Sequence, residues 1–276
     1  MEPLAIGLIG CGAIGTVLAK AIDRGAVRNA KLMAVYDIIY ARSKGLAAIL
    51  EGKPYVAKTF EELIERKDVN FFVEAASQDA VKQYAQEVLR TGRDLMIMSV
   101  GALLDNGFLH EIVSLAEKGG RKIYVPSGAV VGLNGVKSAS VGAIRRVIIT
   151  SKKPPQSLES TPYVMQRKID LSTLKERTTI YEGPAREAVK LFPANVNVAA
   201  SLSLAGIGAD KTIVRVIVDP SANKNVHEVY VEGEFGELRT RVVNVPSPTN
   251  PKTSYLAALS AIQTLREIGE SLVIGT

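Results

Sequence analysis

The chain has 276 residues, 47% of them hydrophobic and 22% charged, with a net charge of +6. That length suits about two domains with sizeable cores, and the composition is that of an ordinary globular protein. The Lys and Arg residues are scattered, with no long basic run and no interleaved aromatics. This argues against a nucleic-acid footprint and suggests a mildly cationic surface that favours anionic small ligands.

The single cysteine, Cys11, rules out an intrachain disulfide. With the two histidines far from it in sequence, no metal site is expected. Cys11 reads as a small buried side chain rather than a reactive thiol. No apolar run approaches the roughly 20 residues of a membrane span. Glu2 stands where a secretory leader carries Lys or Arg, so a cytoplasmic protein is expected.

The first stretch, Leu4–Ile9, is an apolar strand running into Gly10-Cys-Gly-Ala-Ile-Gly15, and Thr16–Ile22 continues as a helix. This is a strand, a G-x-G-x-x-G turn and a helix. Gly10 allows the tight turn, Gly12 lets a pyrophosphate approach the backbone, and Gly15 lets helix and strand pack closely. The helix N-terminus adds N–H groups and a positive dipole end. Gly10, Gly12, Ala13, Ile14 and Gly15 are therefore cofactor-binding candidates. The second strand, Lys31–Asp37, ends on a carboxylate 22 positions past Gly15, suited to the ribose 2′-OH of NAD. Arg42 stands close enough to accommodate NADP instead, so NAD is favoured and NADP stays open.

Further α/β units follow. Tyr55–Ala57 is a short strand, and Thr59 caps a helix with Glu62 three residues on. Val69–Ala76 is a buried strand ending at Ser77, followed by a helix over Ala80–Arg90. Asp94–Val100 is a strand, Asn106–Lys118 a helix and Lys122–Pro126 a strand. This alternation predicts an α/β fold with a Rossmann-type doubly wound parallel sheet over residues 1–125. Ser77, Ser99 and Ser127 at strand ends either touch the cofactor or cap helices.

From Ser127 the pattern changes to an α+β second domain, residues 126–245, with an antiparallel or mixed sheet. A small-residue turn at Ser127–Gly132 leads to a short helix, and Ala143–Thr150 is a strand. Ser151–Lys175 is polar and reads as a mobile loop. Helices are expected at Gly183–Lys190 and Asn195–Ala205, and strands at Thr212–Asp219, Val226–Glu232 and Phe235–Val243. Residues 246–276 comprise a rigid turn over Pro246–Thr253 and a helix from Ser254 to Glu270 that returns to the first domain.

Two histidines are available as acid/base groups. His110 lies in a helix and suits a surface or packing role. His227 shares a strand face with Val229 and Val231, so it is either a core histidine or a catalytic one. Asn197, in a first helical turn, either bonds its own helix or orients a carboxamide. Lys252 and Thr253, ahead of the last helix, either cap it or hold a substrate carboxylate.

Longer strings carry more. Phe192–Gly206, Asp219-Pro220, Asn225-Val-His-Glu-Val229, Val231–Gly236 and Pro246–Leu259 closely resemble the L-aspartate dehydrogenase family. So do Gly10–Gly15, Ser99–Leu103 and Pro126–Ala129 in the first domain. The resemblance implies oxidation of L-aspartate with NAD or NADP to iminoaspartate, which water converts to oxaloacetate and ammonia, and a supply of iminoaspartate to NAD biosynthesis. It implies a second domain resembling dihydrodipicolinate reductase and a homodimer; the charge pattern and the short apolar runs suggest no nucleic-acid or membrane partner. The family's catalytic histidine falls on His227, and its cofactor-binding alanine and asparagine fall on Ala129 and Asn197. Val130-Val131-Gly132-Leu133-Asn134 stands where the family commonly has a glycine pair and an acidic residue. The Ser151–Lys175 stretch carries little match. Rival readings are a related reductase of another amino acid or imine, and a non-catalytic NAD sensor.

Overall fold

The structure, a computed structural model, describes residues 3–193, 196–247, 250–272 and 274–275, without the side chains of 250–253. The chain divides into two compact units. One comprises Met1–Pro126 with Ala258–Ile274, the other Ser127–Ala257 with the last two residues.

The first unit runs β1 (Leu4–Ile9), α1 (Ala13–Asp23), β2 (Ala30–Tyr36), α2 (Tyr40–Ile49), β3 (Tyr55–Val56), α3 (Phe60–Ile64), β4 (Phe71–Glu74), α4 (Gln78–Arg90), β5 (Asp94–Ile97), α5 (Asn106–Gly119) and β6 (Ile123–Tyr124). The sheet order is β3-β2-β1-β4-β5-β6, every pair parallel. This is the Rossmann order, with its topological switch between β1 and β4. The central strands are buried on both faces, as a sheet covered on both sides requires. Thr59 caps α3 as expected, its side chain accepting from Glu62 N. Two readings change. Helix α2 follows β2 where no helix was expected, burying Ser43, Leu46 and Ala47. The fifth strand stops at Ile97, and Val100–Leu104 is a 3-10 turn.

The second unit runs α6 (Leu133–Ala139), β7 (Ile144–Lys153), α7 (Pro162–Gln166), β8 (Thr178–Pro184), α8 (Ala185–Leu191), α9 (Asn197–Ala205), β9 (Thr212–Val218), β10 (Asn225–Gly233), β11 (Gly236–Asn244), β12 (Pro246–Ser247) and β13 (Asn250–Ser254), and the last helix, α10 (Tyr255–Ile268), starts in it and belongs to the first unit from Ala258 on. Its five-stranded sheet has the order β11-β10-β7-β9-β8. It is mixed, because β7 and β9 run parallel while the other pairs are antiparallel.

The expected loop over Ser151–Lys175 is corrected. Ser151, Lys152 and Lys153 complete β7. Beyond them, short helical turns bury Leu158, Tyr163, Val164 and Leu171. These four apolar anchors fix a segment whose polar majority reads as mobile. Strand β8 was not anticipated; it pairs with the edge of β9. The expected rigid turn before the last helix contains the paired strands β12 and β13.

Strands β9 and β10 alternate strictly between buried and half-buried residues, so one sheet face carries the core and the other is more open. Helix α10 crosses the boundary between the units. Its Ala261, Ile262 and Leu265 lie in the same core cluster as Ile6, Leu8, Leu18, Phe71 and Met96. Among the described residues, no helix is long and apolar enough to cross a membrane.

Candidate functional site

In the first unit the site begins where β1 ends. Gly10 has φ +96°, and a Cβ there would lie 2.7 Å from the Ala75 backbone; a larger residue meets both strain and collision. A Cβ on Gly15 would collide with the Gly10 carbonyl oxygen, whereas one on Gly12 would meet nothing within 4 Å. Helix α1 starts at Ala13 with no side-chain cap and no acidic residue in its first turn. The first N–H groups of a helix lack intrahelical partners, so Ala13, Ile14 and Gly15 present donors beside open space. This cradle fits a pyrophosphate.

Asp37 is buried just beyond β2. Its Oδ2 accepts from Cys11 N and its Oδ1 from Ile39 N, both at 2.8 Å. The carboxylate thus ties the glycine turn to the second strand while keeping lone pairs for a ribose hydroxyl. Burial first, and Asp37 second, push the Cys11 thiol up to about 12, so Cys11 stays protonated and is no nucleophile.

Ser77 caps α4, its Oγ accepting from Ala80 N at 3.1 Å. Ser99 instead serves a residue that the sequence reading did not single out. Glu74, buried at the end of β4, accepts from Ala76 N at 2.7 Å, Ser99 Oγ at 2.8 Å and Ser99 N at 3.0 Å. Burial raises its pKa, against the lowering effect of these donors and of Ser77 N. Glu74 binds the ends of β4 and β5 together beside the switch point. An acid closing the apolar run Phe71-Phe-Val was its sequence signal.

In the second unit, Ala129 is buried and its carbonyl accepts from Asn244 Nδ2 at 3.1 Å. Asn197 is the first residue of α9. A Cβ on Gly128 would stand 3.5 Å from Val198 Cγ1, which sets the turn carrying Ala129 beside the start of α9. Lys252 and Thr253 lie in β13, directly ahead of the last helix, and their side chains fall outside the described residues. His110 is exposed on α5. Among the described residues no cluster could hold a metal ion.

His227 is 3% exposed, on the core face of β10. It stands opposite Ser151 of β7, and its Nδ1 lies 2.9 Å from Ser151 Oγ. Burial, and then the charge of Lys153, push its pKa down to about 3. Burial lowers Lys153 itself to about 8. The imidazole is therefore neutral near pH 7, with Nε2 left for proton transfer. The sequence reading missed Ser151, Lys153, Asn225 and Asn244, all of which share this sheet face. Asn225 Oδ1 and Asn244 Oδ1 are buried with no hydrogen-bond partner, a state that costs about 1–3 kcal/mol each.

The strand order, the glycine turn and the acid beyond β2 place the chain among NAD-binding Rossmann oxidoreductases. Residues 10–126 match the family model for the NAD-binding domain of homoserine dehydrogenase, and residues 134–268 match the model for the C-terminal domain of aspartate dehydrogenase. The L-aspartate dehydrogenase of Methanosarcina barkeri is 51% identical over 99% of this chain and 100% of its own length. That of Nitrosopumilus maritimus is 44% identical over 98% and 99%. The crystal structure of aspartate dehydrogenase from Thermotoga maritima superposes with a TM-score of 0.77 at 29% identity, covering 99% of both chains. The chain belongs to the L-aspartate dehydrogenase family.

Proposed function

We propose that this protein oxidises L-aspartate to iminoaspartate, which water converts to oxaloacetate and ammonia. The reading rests on the whole-length likeness to L-aspartate dehydrogenases, which extends through the Asn225-Val-His-Glu string carrying His227. The nicotinamide cofactor supplies the hydride acceptor for the substrate Cα. His227, held neutral, accepts the proton released from the amine or from the attacking water. A dicarboxylate bound near it adds negative charge and raises its proton affinity. Ala129 and Asn197 are assigned to the cofactor, as are Gly10, Gly12, Ala13, Ile14, Gly15 and Asp37. Ser77 contributes by fixing the start of α4.

Asp37 supports NAD over NADP, because a carboxylate at this position repels a 2′-phosphate. Purified protein given L-aspartate is expected to form NADH, with a kcat/KM for NAD at least tenfold that for NADP. Absence of turnover with either cofactor across a broad range of pH and temperature overturns the activity; equal use of both overturns the role of Asp37.

A homodimer is part of the same proposal. On the more open face of the second unit's sheet, half-buried Ile148 and Tyr230 alternate with the ion pairs Lys152–Glu228, Arg241–Glu228 and Arg239–Glu237. Mixed charge of both signs suits a two-fold contact between identical faces. Light scattering is expected to give twice the 29.6 kDa chain mass; a monomer at micromolar concentration overturns this part.

A further inference from the structure

The core face of the second unit's sheet is a grid. Its first two rows run Thr212, Val147, Val231, Leu238 and then Val214, Ile149, Val229, Thr240. The third is Val216, Ser151, His227, Val242. In the fourth, Val218 pairs with Lys153 and Asn225 with Asn244. Because Val226 pairs with Lys152, Asn225 stands opposite Lys153. Directly opposed residues on one face have Cβ atoms about 5 Å apart. An apolar sheet face therefore becomes polar over its last two rows, and the polar side chains there are buried. Lys153 is 4%, Asn225 3% and Asn244 2% exposed.

The amide orientations show what this end lacks. The Ala129 carbonyl can only accept, so the nitrogen of Asn244 must face it, at 3.1 Å. Asn225 turns its nitrogen to Ser254 Oγ at 3.4 Å. Both amide oxygens are left buried without a donor. Packing alone favours leucine at such positions, since buried polar groups are normally paired. Two unsatisfied acceptors complement a molecule with N–H donors, and the buried ammonium in the same row attracts one that also carries a carboxylate. An α-amino acid is such a molecule.

We propose that Lys153, Asn225 and Asn244 form the amino-acid subsite, the two amide oxygens accepting hydrogen bonds from the substrate's α-amine and the Lys153 ammonium holding one carboxylate. This deepens the proposed L-aspartate reading and rests on it. It sets His227 one row from the amine whose proton it handles. Hydrogen bonds made in so dry a place are stronger than in water, which suits discrimination of the amino acid from the same dicarboxylate without its amine.

The test compares the wild type with Asn225→Leu, Asn244→Leu, Lys153→Met and Lys153→Arg as full-length chains. It measures L-aspartate kinetics, inhibition by succinate (a dicarboxylate lacking the amine), NADH binding and melting temperature. Both Asn→Leu variants are expected to raise KM for L-aspartate tenfold or more, with succinate inhibition and NADH affinity within about twofold of wild type. The melting temperature of Asn225→Leu is expected to rise by about 2–4 °C, because an unpaired polar atom is removed and only a 3.4 Å contact is lost with it. Lys153→Met weakens L-aspartate and succinate alike by tenfold or more, and Lys153→Arg recovers part of that loss. If Asn244→Leu fails to fold, Asn225→Leu carries the test, because its amide makes the longer contact. Wild-type turnover with unchanged KM in the Asn variants, or equal losses there for L-aspartate and succinate, overturns the subsite alone. A wild type that does not turn over L-aspartate overturns the functional reading instead.

Discussion

His227→Ala is expected to lower turnover of L-aspartate by about 10²-fold or more while NADH still binds. The ring is fixed by its place in β10 opposite Ser151 and by the 2.9 Å contact at Nδ1. On the proposed reading, Nε2 is the nitrogen left to exchange a proton with the substrate amine or with water. A methyl group can do neither. His227→Gln fills more of the space that alanine leaves and still provides no proton acceptor of suitable basicity, so its turnover is expected to fall as far. Agreement between the two variants separates lost chemistry from a lost packing contact. Steady-state rates, paired with a fluorescence titration of NADH, make the measurement. Turnover near the wild-type value in either variant returns His227 to the role of a core residue.

The same imidazole makes the fold sensitive to acid. Its pKa is about 3 in the folded chain, against 6.5 for the exposed group. Between those values the unfolded chain binds a proton that the folded chain refuses. Stability therefore falls as pH drops below 6.5, by about 1.4 kcal/mol per unit. At pH 4.5, two units down, this group alone removes about 3 kcal/mol. Above 6.5 both states hold a neutral ring and the effect vanishes. Urea unfolding of the wild type and His227→Leu at pH 7.0 and 4.5 tests this. The wild type is expected to lose about 3 kcal/mol more than the variant; equal losses would mean that the folded ring accepts a proton as readily as the unfolded one.

Local patterns made the first unit readable. Gly10, Gly12 and Gly15 announce themselves because their requirements are local: a positive φ, an open side and a close approach. Asp37 follows from its distance to that turn. The second unit yielded less. Ser151 and Lys153 sit in Thr-Ser-Lys-Lys-Pro-Pro, a string that reads as a loop, yet the sheet holds them in its core. The turn between β10 and β11 sets Asn225 opposite Asn244, but nothing in the sequence signals that β10 pairs with the distant β7 and so brings them to Lys153. On the sequence pattern alone, His227 remained divided between packing and catalysis. The resemblance favoured catalysis, and the neighbouring Ser151 and Lys153 supply a physical context for it.

Helix α10 lends Ala261, Ile262 and Leu265 to the core that β1 and α1 begin. The unit that is started first during synthesis is therefore finished last. Its glycine turn leaves the ribosome about 250 residues before the leucine that seals the core behind it. Units that fold as they emerge need their whole core in hand. Here the nucleotide-binding half must wait, partly assembled, while the entire second unit is made. Translation therefore delivers the last core residues of His227's unit, whose main segment ends at Ala257, before Ala261, Ile262 and Leu265 of the nucleotide-binding one.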